Sequence, residues 1–557
     1  MVRTKVCAGE RQRFVVHDLL RALGMPHTLG TRSALEFRGF TRYPGWESAS
    51  AVPFAPRFKV ETLMPSLLEL IYAPRSRWNA DARTAFSEAL QERYLRVMNL
   101  TDKRNEEKRF QLRVNADASD GAVPYAALIA PDQDLSGGYG GMSFVAFPSD
   151  SDDGIPAIIG MVVGTNGLAP DEAILGRPGH ARKCAAIAAA LNRRHSGCAW
   201  AKHDPVRIDM ALPKAVASQL ESWQGPVKKY GRVLYATFVP PSVRTAESDA
   251  LVLDALWSFI DLFFDERGIA PKKPLQPSAA RLRTAWLSCI LPSIAPAQVK
   301  RLLDDRRFVI VEGPPGTGKT EMAESLLRDA FGGRGRVIQF HPGTTYETFI
   351  GGLSPQDGGT LGFTFRPSPG HLMEAAREAA ATPSEPYLLV IDEINRADLA
   401  KVLGEAIYLF EPGRESREVT LQHHYADTGR TLRLPPNLYV LGTMNSADRS
   451  IAILDLAVRR RFSFVQLWPQ LSVVKQHAGD TLAQAFEDLL MLFVEHATDD
   501  ALSLVPGHAY FLGRDDEAAS RLSTGVRPLL EEYLSQGYVS GFAEEIRAFL
   551  SRYVQEA

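Results

Sequence analysis

An eight-residue loop, Gly313-Pro-Pro-Gly-Thr-Gly-Lys-Thr320, leaves this chain few folds to choose from. It follows the short apolar run Arg306-Arg-Phe-Val-Ile-Val-Glu312 and precedes a segment of helical character, 321–330. A loop of the form G-x-x-x-x-G-K-T between a strand and a helix is the arrangement a phosphate-binding loop requires. Glycines at 313, 316 and 318 let backbone N–H groups turn inward around phosphate oxygens, and the helix starting near Lys319 presents its positive dipole end to the same point. Lys319 reaches the outer phosphates and Thr320 offers Mg²⁺ a hydroxyl, while Pro314, Pro315 and Thr317 complete the loop around the nucleotide.

The second half of such a site is a buried strand ending in carboxylates. Tyr387-Leu-Leu-Val-Ile-Asp-Glu393 provides it. Asp392 would hold Mg²⁺ through water and Glu393 would polarise the attacking water. A third strand, Asn437-Leu-Tyr-Val-Leu-Gly-Thr443, ends at Met444-Asn-Ser-Ala-Asp-Arg449, so in a parallel sheet Asn445 would meet the terminal phosphate or the water behind it. Downstream, Asp455-Leu-Ala-Val-Arg-Arg-Arg-Phe462 places Arg459, Arg460 and Arg461 at the end of a short helix, the residue type that donates to a phosphoryl group held by a neighbouring subunit.

The remaining length must be shared out. At ~100 to 200 residues per domain, 557 residues with 45% hydrophobic composition predict three or four separately cored units. Net charge is −2, so the chain as a whole carries no general basic footprint for nucleic acid. The longest apolar stretch, 251–264, is broken by Asp254 and Asp261 and does not span a membrane. The first residues show no secretory signal, and four scattered cysteines with no Cys-x-x-Cys predict neither disulfides nor a zinc site, which together suit a reducing cytoplasm. Gly268-Ile-Ala-Pro-Lys-Lys-Pro-Leu-Gln-Pro277 predicts an extended linker. The expected division is a mixed α/β region over 1–267, the linker 268–277, a nucleotide-binding core over 278–465 and a helical lid over 466–557.

In this order the motifs resemble those of the AAA+ NTPases, and within them the branch with an insertion in the second helix. The insertion is Tyr346-Glu-Thr-Phe-Ile-Gly-Gly352 and the Gly-rich hairpin from Gln356 to Arg366, with helix resuming at 369–373. Asp392-Glu-Ile-Asn-Arg-Ala397, Met444-Asn-Ser-Ala-Asp-Arg-Ser450, Gly507-His-Ala-Tyr-Phe511 and Pro528-Leu-Leu-Glu-Glu-Tyr533 are similar to signatures of the McrB-like motors of modification-dependent restriction systems. Those motors usually have Gly-His-Ser-Tyr-Phe where this chain has Ala509. The resemblance covers about 296–545. It implies a parallel sheet flanked by helices with a helical lid, Mg²⁺-dependent hydrolysis of GTP or, as the alternative, ATP, and a homo-oligomeric ring, usually a hexamer. It also implies an McrC-like endonuclease partner, since no nuclease constellation is present, and a variable N-terminal reader of DNA, modified or not. The competing reading is a MoxR-like ATP-driven chaperone that remodels protein complexes.

Two segments of the N-terminal half carry residues a nucleic acid would use. Arg177-Pro-Gly-His-Ala-Arg-Lys183 enters a helix, so a phosphate would meet Arg177, His180, Arg182 and Lys183 beside free N–H groups, with Arg193, Arg194, Lys202 and His203 extending the basic run. Phe37-Arg-Gly-Phe-Thr-Arg-Tyr-Pro-Gly-Trp46 would stack a base. Neither His180 nor His203 has a second metal ligand at a useful spacing.

Overall fold

The computed structural model describes residues 65–94, 110–115, 123–131, 133–134, 137–151, 154–357, 362–411, 417–447 and 456–554. The basic-aromatic run 37–46 and residues 448–455 lie outside them.

Helices α1 (Pro65–Ile71) and α2 (Trp78–Arg93) lead into a six-stranded antiparallel sheet of order β1-β2-β3-β4-β6-β5. Its strands are β1 (Gln111–Asn115), β2 (Tyr125–Ile129), β3 (Met142–Phe147), β4 (Ile158–Val163), β5 (Ala199–Ala201) and β6 (Leu234–Phe238). Every residue of β3 and β4 is buried, as their mostly apolar sequences demand, and the one polar residue, Ser143 of β3, donates its hydroxyl to the Leu128 carbonyl at 2.7 Å. One face, with Phe144, Ile159 and Met161, meets α3 (Pro178–Asn192) and α4 (Ala246–Asp265), and the other, with Val145, Ile158 and Val162, meets Leu220 and Trp223. Helix α4 opens on a capping box in which Thr245 and Ser248 satisfy each other's backbone N–H groups.

The stretch 268–277 is not the extended linker expected. Lys272 donates its N–H to the Arg93 carbonyl at 2.9 Å and its ammonium to the Gln91 carbonyl at 2.7 Å, and helix α5 (Gln276–Ile290) begins inside the stretch. Pro277 sits in the first turn of α5, where its missing N–H costs nothing, so here proline starts a helix instead of ending one. Helix α5 lies against α3 and α4, and by packing belongs with the N-terminal half.

After α6 (Pro296–Arg306) comes a five-stranded parallel sheet of order β15-β7-β14-β11-β8, or 5-1-4-3-2 counting its own strands in chain order. Along the chain the elements are β7 (Phe308–Gly313), α7 (Lys319–Ser325), β8 (Gly335–Gln339), β9 (Gly351–Asp357), β10 (Phe363–Pro369), α8 (His371–Ala381), β11 (Tyr387–Asp392), β12 (Glu418–Tyr425), β13 (Gly429–Arg433), β14 (Leu438–Asn445) and β15 (Ser463–Gln466). Alternate residues separate the two faces. Val309, Val311, Leu388 and Val390 pack with Leu303 and Met322, whereas Ile310, Leu389, Ile391 and Val440 pack with Phe349 and Leu372. The antiparallel pair β9/β10 interrupts the second helix between Tyr346–Phe349 and α8. A second hairpin, β12/β13, precedes β14.

The lid contains α9 (Asp480–His496), α10 (Arg527–Ser535) and α11 (Ala543–Tyr553). Leu482, Phe486, Leu489, Phe493 and Val494 put an apolar stripe on α9, and α9 packs against α3 of the N-terminal half. Gly179 permits the approach, because a Cβ there would stand 2.3 Å from the Glu495 carbonyl oxygen. The apolar interiors of N-terminal half and lid form one continuous cluster, while the parallel sheet keeps separate clusters on its two faces.

Candidate nucleotide site

The parallel register brings the C-terminal ends of β7, β14 and β11 side by side, with Gly313 opposite Asn445 and Ile391 opposite Gly442. The phosphate loop leaves β7 there. Gly316 and Gly318 adopt φ of 78° and 80°, left-handed geometry that favours glycine and turns successive backbone N–H groups to one side. Thr317 donates its hydroxyl to the Pro314 carbonyl at 2.9 Å, which braces the loop from inside.

Lys319 is buried with no carboxylate in hydrogen-bond contact. Its ammonium donates to the carbonyls of Gly313 at 3.0 Å and Pro314 at 2.8 Å. Burial brings its pKa down to about 8, partly opposed by the charges of Glu393 and Asp392. A buried cation held only by neutral carbonyls at a helix start is one that an anion would relieve.

Across the loop, Asp392 Oδ1 accepts from the Thr320 hydroxyl at 2.9 Å and from the Thr443 hydroxyl at 2.6 Å. Glu393 follows at a φ of 54°, one of two non-glycine residues with positive φ among those described. Such geometry costs on the order of 1 kcal/mol and marks a residue held in place by its surroundings. Glu393 Oε1 accepts from Asn445 Nδ2 at 2.5 Å. Its other oxygen is buried without a hydrogen bond, although Arg396 Nε stands 3.4 Å away. Asn395 donates to the Asn445 carbonyl at 3.5 Å and leaves its own buried side-chain oxygen unpaired. The fold thus gathers Lys319, Thr320, Asp392, Glu393 and Asn445 at one place. Hydroxyl and carboxylate oxygens are hard donors of the kind Mg²⁺ takes, so Thr320 and Asp392 fit that ion.

The lid closes on the loop from the other side. Gly507 N–H donates to the Pro315 carbonyl at 2.9 Å and Ala509 N–H to the Gly316 carbonyl at 3.0 Å. The contact at 509 is made by the main chain, so alanine in place of serine leaves it intact. His508 accepts from the Gln470 N–H at 3.3 Å, and burial lowers its pKa to about 4.

The three arginines divide. Arg461 is buried, donates to the Ala457 carbonyl at 2.8 Å and pairs with Glu411 at 3.0 Å. Arg459 and Arg460 are exposed beside β15, the edge strand of the sheet, with the Arg459 guanidinium 5.5 Å from the Phe464 ring and Arg460 3.6 Å from Glu411.

The basic entry to α3 is taken up by the fold itself. His180 is fully buried, with Nδ1 3.3 Å from Glu266 and Nε2 3.1 Å from the Tyr235 hydroxyl. Lys183 is equally buried and pairs with Glu266 at 3.3 Å and with Glu495 of the lid. Arg182 donates to the Val494 and Ala497 carbonyls and to Asp499, each at 2.8 Å, and Arg177 lies 3.8 Å from Glu266. The charges neutralise carboxylates and carbonyls at the seam between α3 and α9, and the helix start lies against the backbone of Glu495, where a phosphate has no room. Lys202 is likewise buried among the Arg207, Met210 and Arg232 carbonyls, and Arg194 pairs with Asp254.

A parallel sheet of order 5-1-4-3-2, a phosphate loop, paired acids and a polar residue on the adjacent strand define an AAA+ P-loop NTPase. The family described as AAA domain (dynein-related subfamily) matches residues 308–462. The chain is 30% identical over 359 residues to the type IV methyl-directed restriction enzyme EcoKMcrB subunit of Escherichia coli K12, covering 59% of this chain and 77% of that protein. It is also 30% identical over 192 residues to the BsuMI component YdiS, a type II restriction enzyme component of Bacillus subtilis, covering 28% of this chain and 56% of that relative. The chain belongs to the McrB family of AAA+ NTPases.

Proposed function

We propose that this chain is the nucleotide-driven motor of a modification-dependent restriction system. It hydrolyses GTP in preference to ATP, works as a closed ring of copies, six by family likeness, and acts in the cytoplasm with a McrC-like endonuclease that does the cutting. Residues 1–267 would recognise DNA, modified or not, or dock a partner. Family membership and the restriction enzymes among its relatives support the system, and the GTP preference follows from that likeness. Among the described residues Cys184, Cys198 and Cys289 are free thiols, which suits a reducing compartment. Among the described residues no helix is long and apolar enough to cross a membrane.

The observation that carries the reading is the meeting of Lys319, Thr320, Asp392, Glu393 and Asn445 at the ends of adjacent parallel strands. Loop N–H groups and Lys319 would grip the phosphates. Thr320 and Asp392 would hold Mg²⁺, which supplies charge neutralisation on the phosphate oxygens when bound. Glu393 would take the proton of the attacking water, and Asn445, bonded to Glu393, would fix that carboxylate's aim. Arg459 or Arg460, exposed at the sheet edge, would complete the site of the next copy in the ring, a head-to-tail contact that closes.

Glu393→Gln should leave nucleotide bound while turnover falls by about 10²- to 10⁴-fold, read by filter binding and phosphate release on the same preparation. Undiminished hydrolysis removes Glu393 from its role. GTP and ATP titrated side by side decide the nucleotide.

A further inference from the structure

We propose that Thr443 is a positioning residue for both acids of this site, acting through its hydroxyl. The inference rests on the reading above, in which Asp392 serves the metal and Glu393 the water.

The backbone ladder between β11 and β14 ends at Ile391 opposite Gly442. One step further, the Glu393 N–H is taken by a side chain, Thr443 Oγ1, at 3.1 Å. The same oxygen donates its single proton to Asp392 Oδ1 at 2.6 Å. A hydroxyl has one proton to give and lone pairs to receive, so the directions are forced: amide to hydroxyl, hydroxyl to carboxylate. Thr443 is buried, so water does not substitute for either bond.

Two consequences follow. Thr320 and Thr443 both donate to Asp392 Oδ1, one from the helix after the phosphate loop and one from β14, and between them they set the carboxylate's orientation. The Glu393 amide is anchored just as its backbone turns to a φ of 54°, which carries its side chain to Asn445. Gly442, beside Thr443, leaves space that Ile394 fills, seating the turn from the other side. One hydroxyl therefore ties the metal-holding acid to the water-activating acid.

Thr443→Val keeps the shape and removes the hydroxyl; Thr443→Ser keeps the hydroxyl and removes a methyl. With a fluorescent GTP analogue titrated against Mg²⁺ on the full chain, the Val variant should need about 10-fold more Mg²⁺ for half-maximal nucleotide retention, in the range seen for groups behind metal ligands. Its kcat should fall by about 10- to 100-fold with KM within about 3-fold, while the Ser variant stays within about 3-fold on every measure. A Val variant equal to wild type, or a Ser variant as impaired as Val, overturns the inference. If the Val variant does not fold, Thr443→Ala carries the same test, expected to show the Val defects and overturning the inference if it matches wild type. Wild type without Mg²⁺-dependent nucleotide binding would overturn the site reading and this inference together, whereas a sound wild type with an unimpaired Val variant overturns this inference alone.

Discussion

Lys319 and Lys183 are both buried ammonium groups near helix starts, the first residue of α7 and the sixth of α3, and the chain treats them in opposite ways. Burial works to lower the pKa of each. For Lys183 the carboxylates of Glu266 and Glu495 outweigh it and the pKa is raised; for Lys319 only carbonyls make contact and the pKa falls to about 8. The first charge is spent inside the protein. The second waits for a ligand. A basic residue at a helix start marks a site only when its counter-charge is missing from the fold.

The arginines offer the largest break of that contrast. Arg459→Ala or Arg460→Ala should cut hydrolysis by about 10³-fold or more while leaving thermal stability unchanged, whichever supplies the neighbouring site. Arg461→Ala should do the reverse, lowering stability by about 1–3 kcal/mol because Glu411 loses its buried partner. A catalytic collapse in Arg461→Ala with unaltered melting would undo the division.

The lysines come next. Lys183→Met leaves buried Glu266 with His180 and the more distant Arg177 and should cost about 3–5 kcal/mol in denaturant unfolding, with nucleotide affinity of the folded chain preserved. Lys319→Met should abolish measurable nucleotide binding without lowering the melting temperature. Equal stability losses in the two variants would erase the comparison.

The smallest effect is the pH response of the seam. Burial works to lower His180, but Cys184 and Glu266 raise it from 6.5 to about 9; burial works to raise Glu266, but His180, Lys183 and Arg177 bring it from 4.5 to about 2. The raised histidine stabilises fully below pH 6.5 and loses its contribution as pH climbs through about 9. The lowered carboxylate stabilises above pH 4.5 and loses its contribution as pH falls through about 2. Both are complete between pH 4.5 and 6.5. Stability should therefore decline from pH 6.5 to 8 by about 1 kcal/mol per unit at most, and His180→Gln should flatten that slope. An unchanged slope in the variant would take His180 out of the account.

The nucleotide site was legible because its chemistry demands fixed residue types beside strand ends: glycines at 316 and 318, a lysine after them, acids closing an apolar strand. The N-terminal cluster misled because the partner of a charge can lie anywhere along the chain. Lys183 meets one carboxylate 83 residues away and another 312 away, and no local pattern announces either. Thr443 escaped notice because a threonine in a strand reads as β propensity alone. The β12/β13 hairpin escaped notice because the inward positions of β12, Val419, Leu421, His423 and Tyr425, include a histidine that dilutes the apolar alternation. The proline-bearing stretch 268–277 reads as a connector by composition, yet one of its prolines opens α5.

The lid that clasps the phosphate loop through Gly507 and Ala509 is built on the same apolar interior as the antiparallel half. Those two regions cannot part without exposing that interior to water, so the lid and the described antiparallel sheet with its helices are bound together more tightly than either is to the parallel sheet. The seam of α9 on α3 is therefore the joint through which the loop-clasping lid and the antiparallel half share one interior.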